Sequence, residues 1–162
     1  MQVRLKTAMG QVVLTFTSRG LARLEFTDAG QQGGGSQKGQ VLGSEEAAEV
    51  KEVLRELEKY LAGEARDFQA IKLDVQGTPF QLKVWRELQK IPWGETVAYQ
   101  DLAARLGNFR GSRAVGQALK ANPIPIIIPC HRVVRRDGGL GGFSAGLERK
   151  QWLLRHEGRA AV

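Results

Sequence analysis

Tyr99-Gln100-Asp101-Leu102-Ala103-Ala104-Arg105-Leu106-Gly107-Asn108-Phe109-Arg110-Gly111-Ser112-Arg113-Ala114-Val115-Gly116-Gln117-Ala118-Leu119-Lys120 is the stretch on which the fold turns. Tyr99–Leu106 and Ser112–Lys120 each space their apolar residues as a helix does, and Gly107 and Gly111 bracket a short joint between them. A short helix, a glycine-containing turn and a second helix flanked by Arg110, Arg113 and Lys120 make the pattern of a helix-turn-helix. A helical hairpin inside a core would look the same locally, so the charge around it matters. Residues 76–162 carry 14 Lys/Arg against 6 Asp/Glu, net +8, whereas residues 1–75 carry 10 against 11, net −1. Such asymmetry points to a polyanion as partner of the second half, with nucleic acid ahead of an anionic membrane because no amphipathic basic helix dominates.

Upstream of this stretch, Thr78-Pro79 opens a helix to about Lys90 with Phe80, Val84, Trp85 and Leu88 on one face, and Ile91-Pro92-Trp93-Gly94 reads as a turn. Downstream, Asn122-Pro-Ile-Pro-Ile-Ile-Ile-Pro129 excludes a helix through its prolines and demands burial through its isoleucines, which predicts a rigid extended segment. That segment delivers Cys130, the only cysteine of the chain, beside His131, one of its two histidines. A lone buried cysteine is most often a small hydrophobe, yet its placement beside a potential base makes it a candidate nucleophile. Adjacent side chains diverge on helices and strands alike, so the pair is expected to communicate through a bridging water. A third group should orient the histidine, and spacing leaves Asp137, Glu148 and Glu157 all open. Gly138-Gly139-Leu140-Gly141-Gly142 would let a ligand approach the backbone closely, and Leu147–His156 is a final amphipathic helix.

The first half reads differently. Residues 2–6, 11–17 and 20–26 form an antiparallel meander, residues 29–43 a glycine-rich mobile loop, and Ser44 caps a helix through about Leu61 whose apolar face is Val50, Val53, Leu54, Leu57 and Leu61. A strand near Ala70–Leu73 should complete the sheet. With 162 residues at 42 % hydrophobic content, the chain divides into an α/β scaffold at 1–75 and a site-bearing domain at 76–162. One cysteine rules out an internal disulfide, and with two histidines it leaves no structural zinc site. No apolar stretch approaches the ~20 residues of a membrane span, and the N-terminus lacks a signal core, so a cytoplasmic protein is expected.

Taken together, Pro129-Cys130-His131-Arg132-Val133-Val134, the Ser112–Gly116 helix start, Asn122-Pro123, Gly141-Gly142-Phe143-Ser144 and Leu153-Leu154-Arg155-His156-Glu157-Gly158 closely resemble the O6-alkylguanine-DNA alkyltransferases. The likeness runs in register from about Phe80 to Gly158. It implies an α+β protein, an RNase H-like N-terminal domain followed by a C-terminal winged helix-turn-helix domain. It also implies that the alkyl group of O6-alkylguanine, and of O4-alkylthymine, passes irreversibly to Cys130 in a single turnover without any cofactor. By matching motif positions, the resemblance assigns His131 as base through a water, Glu157 as the group orienting it, Tyr99 as the acid at guanine N3, and Asn122 as organiser of the active-site turn. Arg113 would enter the base stack of a flipped nucleotide, and Gly111, Ser112, Ala114, Gly116 and Arg110 would meet the minor groove of double-stranded DNA. Val133, Gly141, Gly142, Phe143 and Ser144 would form the guanine pocket. Some relatives hold zinc in the first domain; this chain lacks such ligands, and no metal is expected. A monomer is expected, with cooperative binding along DNA left open. The rival within the same fold is a non-enzymatic damage sensor, against which Cys130 itself argues.

Overall fold

The structure, a computed structural model, describes residues 1–27, 44–64, 67–107 and 111–158. Two compact units emerge, Met1–Asp74 and Val75–Val162. Among the described residues the fold is mixed, with five α-helices, a three-stranded sheet and a two-stranded one.

In the first unit β1 (Gln2–Thr7), β2 (Gly10–Thr17) and β3 (Gly20–Thr27) pair antiparallel in the order β1-β2-β3. The β-branched and apolar run Val12-Val13-Leu14 with Phe16 makes β2 the buried central strand. Helix α1 (Ser44–Leu61) buries Val50, Val53, Leu57 and Tyr60. The i, i+3, i+4 stripe therefore runs to Tyr60, whose ring meets Phe68 at 5.5 Å, and Leu54 and Leu61 lie at its margin. The segment expected to add a strand near 70–73 makes only one parallel bridge, Leu21 to Leu73, held by Leu21 N–H to Lys72 O (2.9 Å) and Asp74 N–H to Leu21 O (2.8 Å). The turn just before it, with Phe68 at φ +56°, leaves too few extended residues for a longer ladder. Residues 29–43 and the side chain of Ser44, on which the loop and cap expectations rest, lie outside the described residues.

In the second unit α2 (Pro79–Leu88) starts with a complete capping box: Thr78 accepts from Gln81 N–H (3.1 Å) and the Gln81 side chain accepts from Thr78 N–H (3.0 Å). Its face of Val84, Trp85 and Leu88 is buried, and Trp85 Nε1 donates to Ala118 O at 2.9 Å, tying α2 to α4 (Ser112–Lys120). Helix α3 (Tyr99–Arg105) packs against α4. Immediately before α3, β4 (Val97–Ala98) pairs in parallel with β5 (Val133–Val134), Val97 facing Val133 and Ala98 facing Val134. This small ladder brings the start of α3 beside the chain that has just left Cys130. Helix α5 (Leu147–His156) closes the unit. None of the described helices is long and apolar enough to cross a membrane.

The isoleucine segment corrects one expectation. Ile124, Ile126, Ile127 and Ile128 are all buried, but the backbone is a turn and not an extended strand: Ile128 N–H bonds to Ile124 O at 2.9 Å, and Ile126 takes φ +76°. Asn122 closes the turn from inside, its Nδ2 donating to Ile128 O (2.8 Å) and its Oδ1 accepting from Ile124 N–H (2.9 Å). A side chain that serves as both donor and acceptor supplies the bonds that prolines 123 and 125 cannot.

Candidate active site

Asn122 thereby fixes where Cys130 stands. Cys130–Arg132 form one turn of 3₁₀-helix, with Cys130 N–H on Ile128 O (2.8 Å) and Arg132 N–H on Pro129 O (3.0 Å). In this tight turn Cys130 and His131 point in different directions. Cys130 lines a cavity of about 250 Å³ with Tyr99, Gly142, Phe143 and Ser144, and with Gly116 and Lys120 of α4. His131 points inward to Glu157, the residue capping α5, with Nε2 and Oε2 2.8 Å apart. Of the three acids that spacing left open, Glu157 is the one brought to the histidine.

Glu157 is held from two sides. Arg132 donates from Nε to Oε1 (2.8 Å) and from Nη2 to Oε2 (2.9 Å), while its Nη1 bonds to Ile91 O. Burial alone would raise this carboxyl, but the bonds from His131 and Arg132 outweigh it and bring its pKa down to about 2. Glu157 is therefore an anion that can only accept. Burial, opposed by Glu157, holds His131 below its ordinary value, so the imidazole is neutral near pH 7. A neutral ring facing a carboxylate keeps its proton on Nε2 and leaves Nδ1 as a bare base. Nδ1 is the buried side-chain atom with no hydrogen-bond partner among the described residues.

The thiol is not activated at rest. Burial pushes the Cys130 pKa up to about 11, against smaller opposing effects of the Asn122 side chain and Lys150. A thiol held above its ordinary value is not a standing thiolate; the proton must leave as the nucleophile is used. Burial likewise raises the Tyr99 phenol, keeping it a proton donor.

The remaining expected site residues fall around these. Gly141, at φ +71°, has room for no side chain: a Cβ there would lie 2.6 Å from the Tyr99 hydroxyl and 2.7 Å from Cε2. Val133, expected in the guanine pocket, is fully buried and is not among the residues lining the cavity; its carbonyl accepts from Lys150. Ser112, Arg113 and Ala114 are exposed on the first turn of α4, which Gly111 precedes as N-cap. Arg113 and Ser112 share with Tyr99 a broader, shallower depression of about 720 Å³, bordered also by Arg135 and Arg136. Arg110 lies outside the described residues. Two buried ions were not singled out from sequence, Arg132 and Lys150. The signal was present for the second: Lys150, Leu153, Leu154 and Glu157 fall at i, i+3, i+4 and i+7 of one helix stripe, so that stripe begins and ends with a charge.

A buried cysteine lining a cavity, next in sequence to a histidine bound by a carboxylate, is the arrangement that a protein acting through a cysteine nucleophile would need. Residues 79–159 match the family described as 6-O-methylguanine DNA methyltransferase, DNA binding domain. A methylated-DNA–protein-cysteine methyltransferase of Methanosarcina acetivorans is 49 % identical over 108 residues, 67 % of this chain and 69 % of that protein. Its counterpart in Methanosarcina barkeri is 38 % identical over 155 residues, 94 % of each. The crystal structure of Mycobacterium tuberculosis OGT in complex with DNA superposes with a TM-score of 0.79 at 34 % identity, covering 96 % of this chain and 92 % of that one. The chain belongs to the methylated-DNA–protein-cysteine methyltransferase family.

Proposed function

We propose that this protein repairs DNA by moving the alkyl group of O6-alkylguanine, and of O4-alkylthymine, onto Cys130, once per chain. The observation that carries the reading is the division of labour in the 3₁₀ turn: Cys130 faces a cavity while His131, its neighbour, meets Glu157 through Nε2 and leaves Nδ1 bare. The thiol proton passes through a water to His131 Nδ1, and sulfur attacks the alkyl carbon. The carbon–O6 bond breaks with its electron pair on oxygen, and the Tyr99 hydroxyl protonates N3 so that guanine leaves neutral. The product is a thioether, which cellular thiols do not reverse, and so the protein is consumed.

In this reading residues 76–162 form a winged helix-turn-helix domain that presents α4 to the minor groove, and residues 1–75 are an RNase H-like scaffold. The base must leave the stack to reach a buried thiol, at a cost of a few kcal/mol that is smaller for a poorly paired alkylated base. Arg113, exposed at the start of α4 beside the depression that reaches Tyr99, fills the gap. Gly116, Gly142, Phe143 and Ser144 enclose the flipped base, and the protein works as a monomer.

Incubating the protein with a duplex carrying O6-methylguanine should add one methylene, about 14 Da, to the Cys130 peptide, with a plateau at one per chain. An unchanged mass despite tight binding would make the protein a damage sensor instead. Arg113→Ala should lower repair of the duplex by about 100-fold while reaction with free O6-benzylguanine, which needs no flipping, changes by no more than a few fold. Equal losses with both substrates would remove Arg113 from the flipping step.

A further inference from the structure

Five polar or charged side chains are buried among the described residues: Asn122, His131, Arg132, Lys150 and Glu157. The chemistry above employs four of them. Lys150 is 0 % exposed, and an ammonium group is removed from water only at large cost unless its surroundings compensate. Two of its three N–H groups are committed: Nζ donates to Val133 O at 2.7 Å and to Gly142 O at 3.1 Å. These bonds strap the strand leaving the Cys130 turn to the cavity wall. The third has no acceptor among the described residues, and Nζ lies 5.9 Å from the centre of the Tyr99 ring.

We infer that Lys150 is an electrostatic positioning residue for alkyl transfer, its buried ammonium offsetting the negative charge that Cys130 acquires on losing its proton and that Tyr99 acquires on giving up its own. The inference rests on the alkyl-transfer reading of the cavity and adds to it a charge that reading lacks. The transfer creates two anions, a thiolate on the buried Cys130 and a phenolate on the half-buried Tyr99; a fixed cation beside them stabilises both without reorganisation. The titratable groups around Lys150 are Tyr99 from α3 and Cys130 and His131 from the 3₁₀ turn, while Glu157 is engaged by Arg132 and His131. Burial lowers Lys150 to about 8, and Cys130 acts in the opposite direction, so thiol and amine titrate as a coupled pair.

The test follows Cys130 by two routes in wild type, Lys150→Met and Lys150→Arg from pH 6 to 10, using single-turnover reaction with free O6-benzylguanine and, in parallel, alkylation by iodoacetamide. The second route reports thiol ionisation whatever the natural substrate. In wild type both rates should level off above about pH 8, as Lys150 loses its proton. In Lys150→Met the benzyl-transfer rate at pH 7 should drop about 100-fold. It should then climb continuously to pH 10, because only the thiol titrates. Lys150→Arg, which keeps the cation, should retain most of the iodoacetamide reactivity. Met and wild-type profiles that coincide, or equal losses in folded Met and Arg variants, would overturn the inference and leave only a structural strap. Wild-type protein that reacts with iodoacetamide but never accepts a benzyl group would instead overturn the alkyl-transfer reading.

Discussion

Cys130→Ala should take up no alkyl group from an O6-methylguanine duplex, a loss of at least about 10⁴-fold, and yet bind that duplex as well as wild type or better. No other cysteine exists to substitute for it, and the hydroxyls of Tyr99 and Ser144 that share the cavity are far weaker nucleophiles than a thiolate. Binding should survive because Arg113, exposed on the first turn of α4, is not among the residues lining the Cys130 cavity, and the substitution removes one sulfur from a site already 4 % exposed. Intact mass and gel-shift titration of the same preparation check both halves. Residual methylation of the Ala variant would remove Cys130 as the acceptor, whereas loss of binding with the fold intact would tie the sulfur to recognition.

Glu157→Ala should be the most damaging change to the stability of the second unit. It strands the Arg132 guanidinium and the His131 ring in the interior, and an uncompensated buried charge costs about 3–5 kcal/mol. Glu157→Gln preserves the shape and separates the electrostatic part by its pH dependence. A carboxyl held at about 2 in the folded state, below its ordinary value, contributes stability that is present above the unfolded pKa and is lost as pH falls towards 2. That contribution is on the order of 3 kcal/mol. His131, held neutral by burial, acts in the same direction, since the unfolded chain takes up a proton below its ordinary value while the folded one resists it. Wild-type stability in denaturant should therefore fall steadily from pH 7 to pH 3, and the Gln variant should start lower and fall less steeply. All three tryptophans, Trp85, Trp93 and Trp152, lie in the second unit, so their fluorescence follows this unit alone. Parallel slopes for the two proteins would show that Glu157 is not the group being titrated. In the Gln variant the carboxamide can also donate, so His131 is no longer required to keep its proton on Nε2, and transfer should slow along with the loss of stability.

Local structure was legible in the chain wherever near neighbours decide it. The 3.6-residue spacing of Val84, Trp85 and Leu88, the Thr78-Pro79 start and the apolar strands on either side of Met9-Gly10 and Arg19-Gly20 express preferences that a few adjacent residues satisfy among themselves. The conjunction of Cys130 and His131 after a proline-rich, isoleucine-rich segment was legible for the same reason. The path of that segment was not. Prolines and isoleucines dictate what it cannot be and that it is buried, but the turn depends on Asn122 reaching across it to Ile128 O.

What the sequence by itself determined is the inventory: the helices and strands, the basic second half, one cysteine and its neighbouring base. Tertiary structure alone decided which distant groups meet. It chose Glu157 over Asp137 and Glu148, brought Tyr99 to Cys130 through the β4–β5 ladder, and turned Lys150 inward against Val133 and Gly142. It also set the resting state of the thiol, because a pKa near 11 arises from burial and not from the adjacent histidine. Spacing along a chain specifies which residues share a helix face or a strand side. Which faces then come together, and how much water they exclude, is settled by packing over the whole unit, and the charges of a buried site are worth what that exclusion makes them.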